Sequence, residues 1–324
     1  MYFNKKNQFF HGIMFHHFHD SGIHTKGQGS ISKDDFYNLI KFIGRKNILD
    51  SDVFFEKFKK KKLKKNEICF TFDDAIKCQI DIALPVLEDL KIKSFFFVYT
   101  SIFENNPNYL EIYRYFRMNY FNSVNDFYIN FFKILNKDLN KFFKKNQAII
   151  NNYKVRAPFY SIEDIKFRVV RNNFFNKKGD YEKIMNLMMK EKNFIPNNYY
   201  SNLFFSKNDL ILLDSLGHQI GIHSHNHSTL IENLSYNEQK LEYTKCKSII
   251  SKIIKKPKNE IKSMSHPCGS YNDDTLNVLN DLGIEIGFKH NMRIEPEKKM
   301  KKINNSFLEI ARQDHAHIIK KINQ

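Results

Sequence analysis

The chain has 324 residues, 42% hydrophobic and 27% charged, an ordinary globular composition that excludes a disordered chain and is enough to bury one large α/β core or two smaller ones. Its formal net charge is +17, from 52 Lys+Arg against 35 Asp+Glu. Lys, Asn, Ile and Phe are all abundant, so the charge reads first as compositional bias and second as a field for anionic substrates or a membrane surface; no nucleic-acid reading module accompanies it.

The N-terminal MYFNKKNQFF lacks an apolar core long enough for a signal peptide, and no stretch approaches the ~18 apolar residues of a membrane span. Cys69, Cys78, Cys246 and Cys268 show no CxxC spacing and read as reduced thiols. The expectation is a cytoplasmic protein with at most peripheral membrane contact.

In chain order, the run from Gly12 to Asp20 predicts a first strand, its alternation setting Met14, His16 and Phe18 on one face. Ser32 and Asp35 form a capping-box pattern before a helix with Phe36, Leu39, Ile40 and Ile43 on one side and Gly44 as its stop. The lysine run 59–65 predicts a solvated loop or helix end. Ile68 to Phe72 is a buried strand, Gln79 to Leu90 a helix that Pro85 can kink, and Lys93 to Tyr99 another strand, so 67–99 is a parallel strand–helix–strand unit. From 101 to about 205 the rhythm breaks into amphipathic helical runs near 109–121, 124–135 and 180–192. The body resumes with a capping pattern at Ser206 and Asp209, a strand over 218–222, a long helix from Ser235, a short strand at Ser263, a helix capped by Asn272, strand-like residues 284–288, and a last strand over Phe307–Arg312. The expected fold is α/β, a distorted (β/α) barrel of about seven strands. It forms one domain over 1–324, interrupted by a helical insertion at about 101–205. In such barrels the chemistry sits at the C-terminal ends of the strands.

Two adjacent carboxylates, Asp73 and Asp74, end the strand at 68–72. Side-by-side carboxylates repel, and a metal ion is the usual remedy. His223 and His227 follow directly on another strand, four residues apart. With Asp74 they make a two-His, one-carboxylate set that suits Zn²⁺ without excluding other divalent transition metals.

Thr71-Phe-Asp-Asp74 followed by His223-Ser-x-x-His227 resembles the signature of the polysaccharide deacetylase family, the NodB-homology domain of metal-dependent carbohydrate esterases. Ser265-His-Pro-Cys-Gly-Ser-Tyr271 is similar to that family's R-x-P-[FY]-G loop, with Ser265 in place of Arg and Cys268 in place of an aromatic residue. The resemblance covers roughly 65–100 and 205–320.

It implies Asp73 as the general base acting on water, and Asp74, His223 and His227 as metal ligands. It also implies an oxyanion and substrate loop at Pro267, Cys268 and Tyr271, with the Cys268 backbone N–H on the oxyanion. Some members are circularly permuted, with the general-acid histidine on the first strand, and Met14-Phe-His16 is similar to that arrangement. His16 is therefore the first candidate for the acid, His315 the second and His317 the third. With Ser265 unable to replace the missing arginine, Arg312, together with Asp314, is expected to orient Asp73.

The implied activity is removal of an N-acyl group, acetyl foremost, from an amino sugar, a surface-glycan precursor or oligosaccharide that is phosphorylated or lipid-linked. Three alternatives stand beside it: deformylation of a lipid-linked amino sugar, a non-catalytic sugar-binding protein on the same scaffold, and a metal-dependent amidase acting on a non-sugar amide.

Overall fold

The computed structural model describes residues 11–27, 29–64, 66–156, 160–175 and 179–322. The N-terminal decapeptide and Lys65, on which two sequence expectations fall, lie outside them. The described residues divide into two compact units: those within 1–20, 30–108 and 201–324 form the first, and those within 21–29 and 109–200 the second.

The first unit contains one sheet of seven strands: β1 (His11–Phe15), β2 (Ile68–Phe72), β3 (Phe95–Val98), β4 (Gln219–Ile222), β5 (Ser263–Ser265), β6 (Ile286–Phe288) and β7 (Arg312–Asp314). Every pairing is parallel, in the order β6-β5-β4-β3-β2-β1-β7. The two edge strands nearly meet. Ile310, just ahead of β7, bridges Phe288 in β6, with Ile310 N–H donating to the Gly287 carbonyl at 2.8 Å and Lys289 N–H to the Ile310 carbonyl at 3.0 Å. Gly287 permits that seam, because a Cβ there would stand 2.7 Å from the Leu308 carbonyl oxygen. The result is a distorted, nearly closed (β/α) barrel.

The α-helices among the described residues are α1 (Lys33–Ile43), α2 (Ser51–Lys59), α3 (Leu84–Asp89), α4 (Tyr109–Asn119), α5 (Val124–Leu135), α6 (Asn140–Lys145), α7 (Gln147–Arg156), α8 (Ile162–Asn173), α9 (Asp180–Glu191), α10 (Tyr200–Leu203), α11 (Lys207–Ser215), α12 (Tyr236–Ile254), α13 (Asp273–Asp281) and α14 (His315–Ile322). The capping boxes at Ser32–Asp35 and Ser206–Asp209 form as the sequence predicts, a further one closes at Ser235–Glu238, and Asn272 caps α13. Each satisfies N–H groups that a helix start leaves orphaned.

Inside the barrel, Cys69, Phe95, Phe97, Ile286, Phe288 and Ile310 pack into one buried cluster with Phe54 and Leu63. The alternate residues of the strands face the helices, where Phe15, Phe36, Phe70 and Phe72 meet edge-on and stacked. A fully buried side chain of this size contributes on the order of 2–3 kcal/mol. Period-two alternation carries the inward series of β2 from Cys69 through Thr71 to Asp73, from apolar floor to polar rim.

Three boundaries differ from the sequence expectation. β1 ends at Phe15, so His16 to Phe18 leave the strand instead of continuing its alternation. The helix expected from Gln79 opens as a π-turn over Gln79–Ala83, with Pro85 inside the first turn of α3, where a missing N–H is tolerated. The last strand lies at Arg312–Asp314, displaced from 307–312; Phe307 is exposed, and the chain enters α14 at His315.

The second unit is helical, α4 to α9. Phe116, Phe127, Phe131 and Phe167 form its aromatic interior, and buried Asp164 accepts from Arg168 Nε at 2.8 Å.

Candidate active site at the strand ends

The site is built where β1, β2, β4 and β5 end, with Arg312 reaching in from the start of β7. Asp73 follows β2 on its inward series and is 2% exposed. Its N–H donates to the Phe15 carbonyl at 3.2 Å, which ties the carboxylate strand to the end of β1. Arg312, 0% exposed on β7, meets it as a fork: Nη1 donates to Oδ1 and Nη2 to Oδ2, both at 2.7 Å. The guanidinium is itself fixed, with Nη1 on Thr71 Oγ1 at 3.2 Å and Nε on the Lys289 carbonyl at 2.9 Å. Burial, the largest single influence, would raise the Asp73 pKa; the charge and hydrogen bonds of Arg312, with the His223 and His16 rings, together outweigh it, and the carboxyl is held below its ordinary value. The arginine expected to orient Asp73 is thus in direct contact with it.

Ser265 corrects the sequence expectation. Its short side chain predicts no support for Asp73, yet its Oγ donates to Asp73 Oδ1 at 3.1 Å and lies 2.7 Å from His223 Nδ1. A serine hydroxyl is short, but β5 brings it to the rim between the two groups, so reach is not required.

Asp74 turns out of the strand with φ 74°, and Ala75 follows at 52°. Ser224 (62°), His227 (53°) and Cys268 (51°) share this left-handed backbone. For residues with a Cβ each such conformation costs about 1–2 kcal/mol, and five of them sit in the three segments that carry the motifs. The bends aim side chains. His223 Nε2 lies 3.1 Å and His227 Nε2 3.0 Å from Asp74 Oδ1. His227 is thus brought round by a left-handed loop, not by a helical turn.

The donor set can be tested for a cation. His223 Nδ1 is 2.8 Å from the Ser265 carbonyl, an acceptor only, which fixes the proton on Nδ1 and turns the Nε2 lone pair toward Asp74. Asp74 Oδ1 is buried and has no hydrogen-bond donor among the described residues. A lone pair facing a carboxylate oxygen is repulsive unless a cation stands between them. One ligand atom from each of Asp74, His223 and His227 lies within 4.8 Å of the others, so the three can hold a metal ion.

His16 stands on the open side. Its Nε2 is 4.0 Å from Asp73 Oδ2 and 3.8 Å from Asp74 Oδ2, and the side chain is a quarter exposed. Gln79, which no sequence signal singles out, pins both neighbours through Nε2, donating to the carbonyls of His16 (3.0 Å) and Asp73 (2.7 Å) from the π-turn. His315 occupies a packing position: its buried ring stacks on Phe15, and Nδ1 donates to the Met14 carbonyl at 3.2 Å. His317 is half-buried on α14. Asp314 accepts from Ala316 N–H at 2.8 Å and so opens α14, while Arg312 alone of that pair reaches Asp73.

Pro267, buried, begins a tight turn in which Gly269 N–H donates to the His266 carbonyl and Ser270 N–H to that of Pro267; Cys268 is exposed at its tip. Tyr271, expected at the substrate, is 2% exposed instead. Its hydroxyl donates to buried Glu309 at 3.1 Å and its ring stacks on His266, so its partners are interior ones.

The family model described as polysaccharide deacetylase matches residues 136–287, a span that holds His223, His227 and Ser265 but not Asp73 or Asp74. Among solved structures the chain is similar to the Streptococcus pyogenes deacetylase PplD in complex with acetate (14% identity, 97% of this chain and 96% of that one, TM-score 0.56). It is similar also to a de-N-acetylase from Aggregatibacter actinomycetemcomitans (14%, 97% and 99%, TM-score 0.54) and to IcaB from Ammonifex degensii (10%, 98% and 98%, TM-score 0.53). At these identities the likeness is one of fold. No curated protein sequence matches the chain.

Proposed function

We propose that this chain is a member of the polysaccharide deacetylase family, a metal-dependent hydrolase of non-peptide C–N bonds that removes an N-acyl group, acetyl foremost, from an amino sugar. One observation carries the metal dependence: Asp74 Oδ1 is buried, lacks a hydrogen-bond donor among the described residues, and faces two imidazole nitrogens. A divalent ion held by Asp74, His223 and His227, assigned as Zn²⁺ from the donor set, supplies Lewis acidity and lowers the pKa of water.

The remaining chemistry belongs to side chains. Asp73 Oδ1 takes two hydrogen bonds and Oδ2 one, so Oδ2 keeps the lone pair that accepts the proton of the attacking water. Arg312 and Ser265 hold that carboxylate in one orientation. His16, facing both carboxylates, delivers a proton to the departing amine nitrogen. The Cys268 backbone N–H, at the tip of the turn, is assigned to the oxygen that gains charge as water adds to the carbonyl. One water is consumed, and a free amine and a carboxylic acid are released.

We read the two units as one deacetylase domain with a helical insertion. The +17 charge favours a phosphorylated or lipid-phosphate-linked sugar precursor as substrate, met in a cytoplasmic setting. No described helix is long and apolar enough to cross a membrane.

The test is acyl release from N-acetylated and N-formylated amino sugars, free, phosphorylated and lipid-phosphate-linked. Acetate release that a chelator abolishes and divalent metal restores is expected. Metal-loaded protein that frees no acyl group from any of them would leave a sugar-binding role in its place.

A further inference from the structure

The loop that presents His223 and His227 is held largely from outside. Two of its residues, Ser224 and His227, are left-handed, and within the loop Ser224 Oγ accepts from His227 N–H at 3.0 Å. Glu242, in the middle of α12, supplies the main brace. Its Oε2 accepts from two consecutive backbone N–H groups, His225 at 3.0 Å and Asn226 at 2.8 Å, while Oε1 accepts from the Asn226 side-chain amide at 2.5 Å. The carbonyl side of the loop is held separately: Thr100 and Ser101 N–H both donate to the His225 carbonyl, and the Asn108 amide donates to those of Asn226 and His227. One turn along α12, Lys245 pairs at 2.8 Å with Glu104, whose carboxylate stands 3.4 Å from His225 Nε2.

We propose that Glu242 is a positioning residue of the metal site, setting divalent-ion affinity through the loop backbone without itself touching the ion; this rests on the metal-site assignment above. Bonds from N–H to a carboxylate are about twice as strong as neutral ones, and here they converge on the two residues between the imidazoles. Without the carboxylate, both N–H groups lose their acceptor and the left-handed residues on either side are free to relax. The two Nε2 atoms then lose the register that makes them converge on Asp74 Oδ1. Neither Glu242 nor its partners His225 and Asn226 supplies a ligand atom, so a metal-affinity change reads this route alone.

The experiment titrates the metal-stripped full chain with Zn²⁺ against a chromophoric chelator, and with Co²⁺ by visible absorption. It compares wild type, Glu242→Ala, Glu242→Gln and a control at exposed Lys252 on the same helix, Lys252→Ala. Glu242→Ala is expected to bind Zn²⁺ about 10–100-fold more weakly, the range for outer-shell partners of metal ligands. Glu242→Gln, which keeps an acceptor without the charge, should lose less, both should alter the Co²⁺ spectrum, and Lys252→Ala should match wild type. If Glu242→Ala fails to fold, Glu242→Gln carries the comparison. Unchanged affinity and spectrum in a folded Glu242 variant would overturn the inference while leaving the metal assignment intact. A wild-type protein that binds neither ion would overturn the metal assignment itself.

Discussion

Replacing Arg312 with methionine tests the electrostatic centre of the site. The substitution keeps much of the volume but removes both prongs on Asp73, the bond to Thr71 Oγ1 and the bond to the Lys289 carbonyl. Asp73 would be left charged and buried with Ser265 as its remaining side-chain donor. Breaking one half of a buried ion pair typically costs 3–5 kcal/mol, most of it the stranded charge, and Arg312→Met should lose about that much. Burial, the largest influence on Asp73, would then act with its main opponent gone, raising the pKa. The base must be ionised to work, so residual activity should fall away at a higher pH than in wild type as the solution is acidified. Urea unfolding of wild type, Arg312→Met, Asp73→Asn and the double variant measures the coupling directly. Neutralising Asp73 in the methionine background should recover stability, with an interaction term of at least about 1 kcal/mol. Losses that simply add, within about 0.5 kcal/mol, would refute the claim that Arg312 and Asp73 act as a unit.

His16→Ala should keep its metal and lose ~10²–10⁴ in turnover, as expected for a general acid. His315→Ala should lower the melting temperature with little effect on turnover, because its ring packs on Phe15; the opposite outcome would move the acid to His315. A pH prediction comes from His266, which is buried, stacked on Tyr271 and bonded to the Leu308 carbonyl through Nε2. Burial pushes its pKa down to about 3 from an ordinary 6.5, so between those values the unfolded chain takes up a proton that the folded one refuses. Its contribution is intact above pH 6.5 and is lost progressively as pH falls toward 3. Urea midpoints measured from pH 7 to 4 should fall less steeply in His266→Phe than in wild type, and equal slopes would contradict this.

The parts legible in the sequence are those set by local chemistry. Ser32, Ser206 and Ser235 announce helix starts because a capping box closes within four residues. The run Ile68–Phe72 announces a buried strand because both of its faces are covered. Asp73, Asp74, His223 and His227 stand out because adjacent carboxylates and closely spaced histidines are the residue types and spacings that can hold a cation. What escapes depends on neighbours distant in the chain. The last strand, Arg-Gln-Asp, has no apolar pattern, since its inward residue is an arginine that faces a carboxylate 239 positions away. Ser265 looks too short to matter until β5 sets it between Asp73 and His223. Gln79 and Glu242 are ordinary polar residues in helical sequence, and only the turns beside them reveal what they hold. Tyr271 misleads for the converse reason: a tyrosine in a motif loop suggests a ligand contact, whereas its hydroxyl is satisfied by a buried glutamate.

The central claim is a division of labour between neighbours, Asp73 on the water's proton and Asp74 on the metal. The direct measurement is bound metal and acyl release for Asp73→Asn and Asp74→Asn, prepared side by side. Asp73→Asn should hold metal as wild type does and release almost no acyl group, while Asp74→Asn should lose metal and turnover together. An Asp73→Asn protein that still turns over, or an Asp74→Asn protein that binds metal undiminished, would contradict the account.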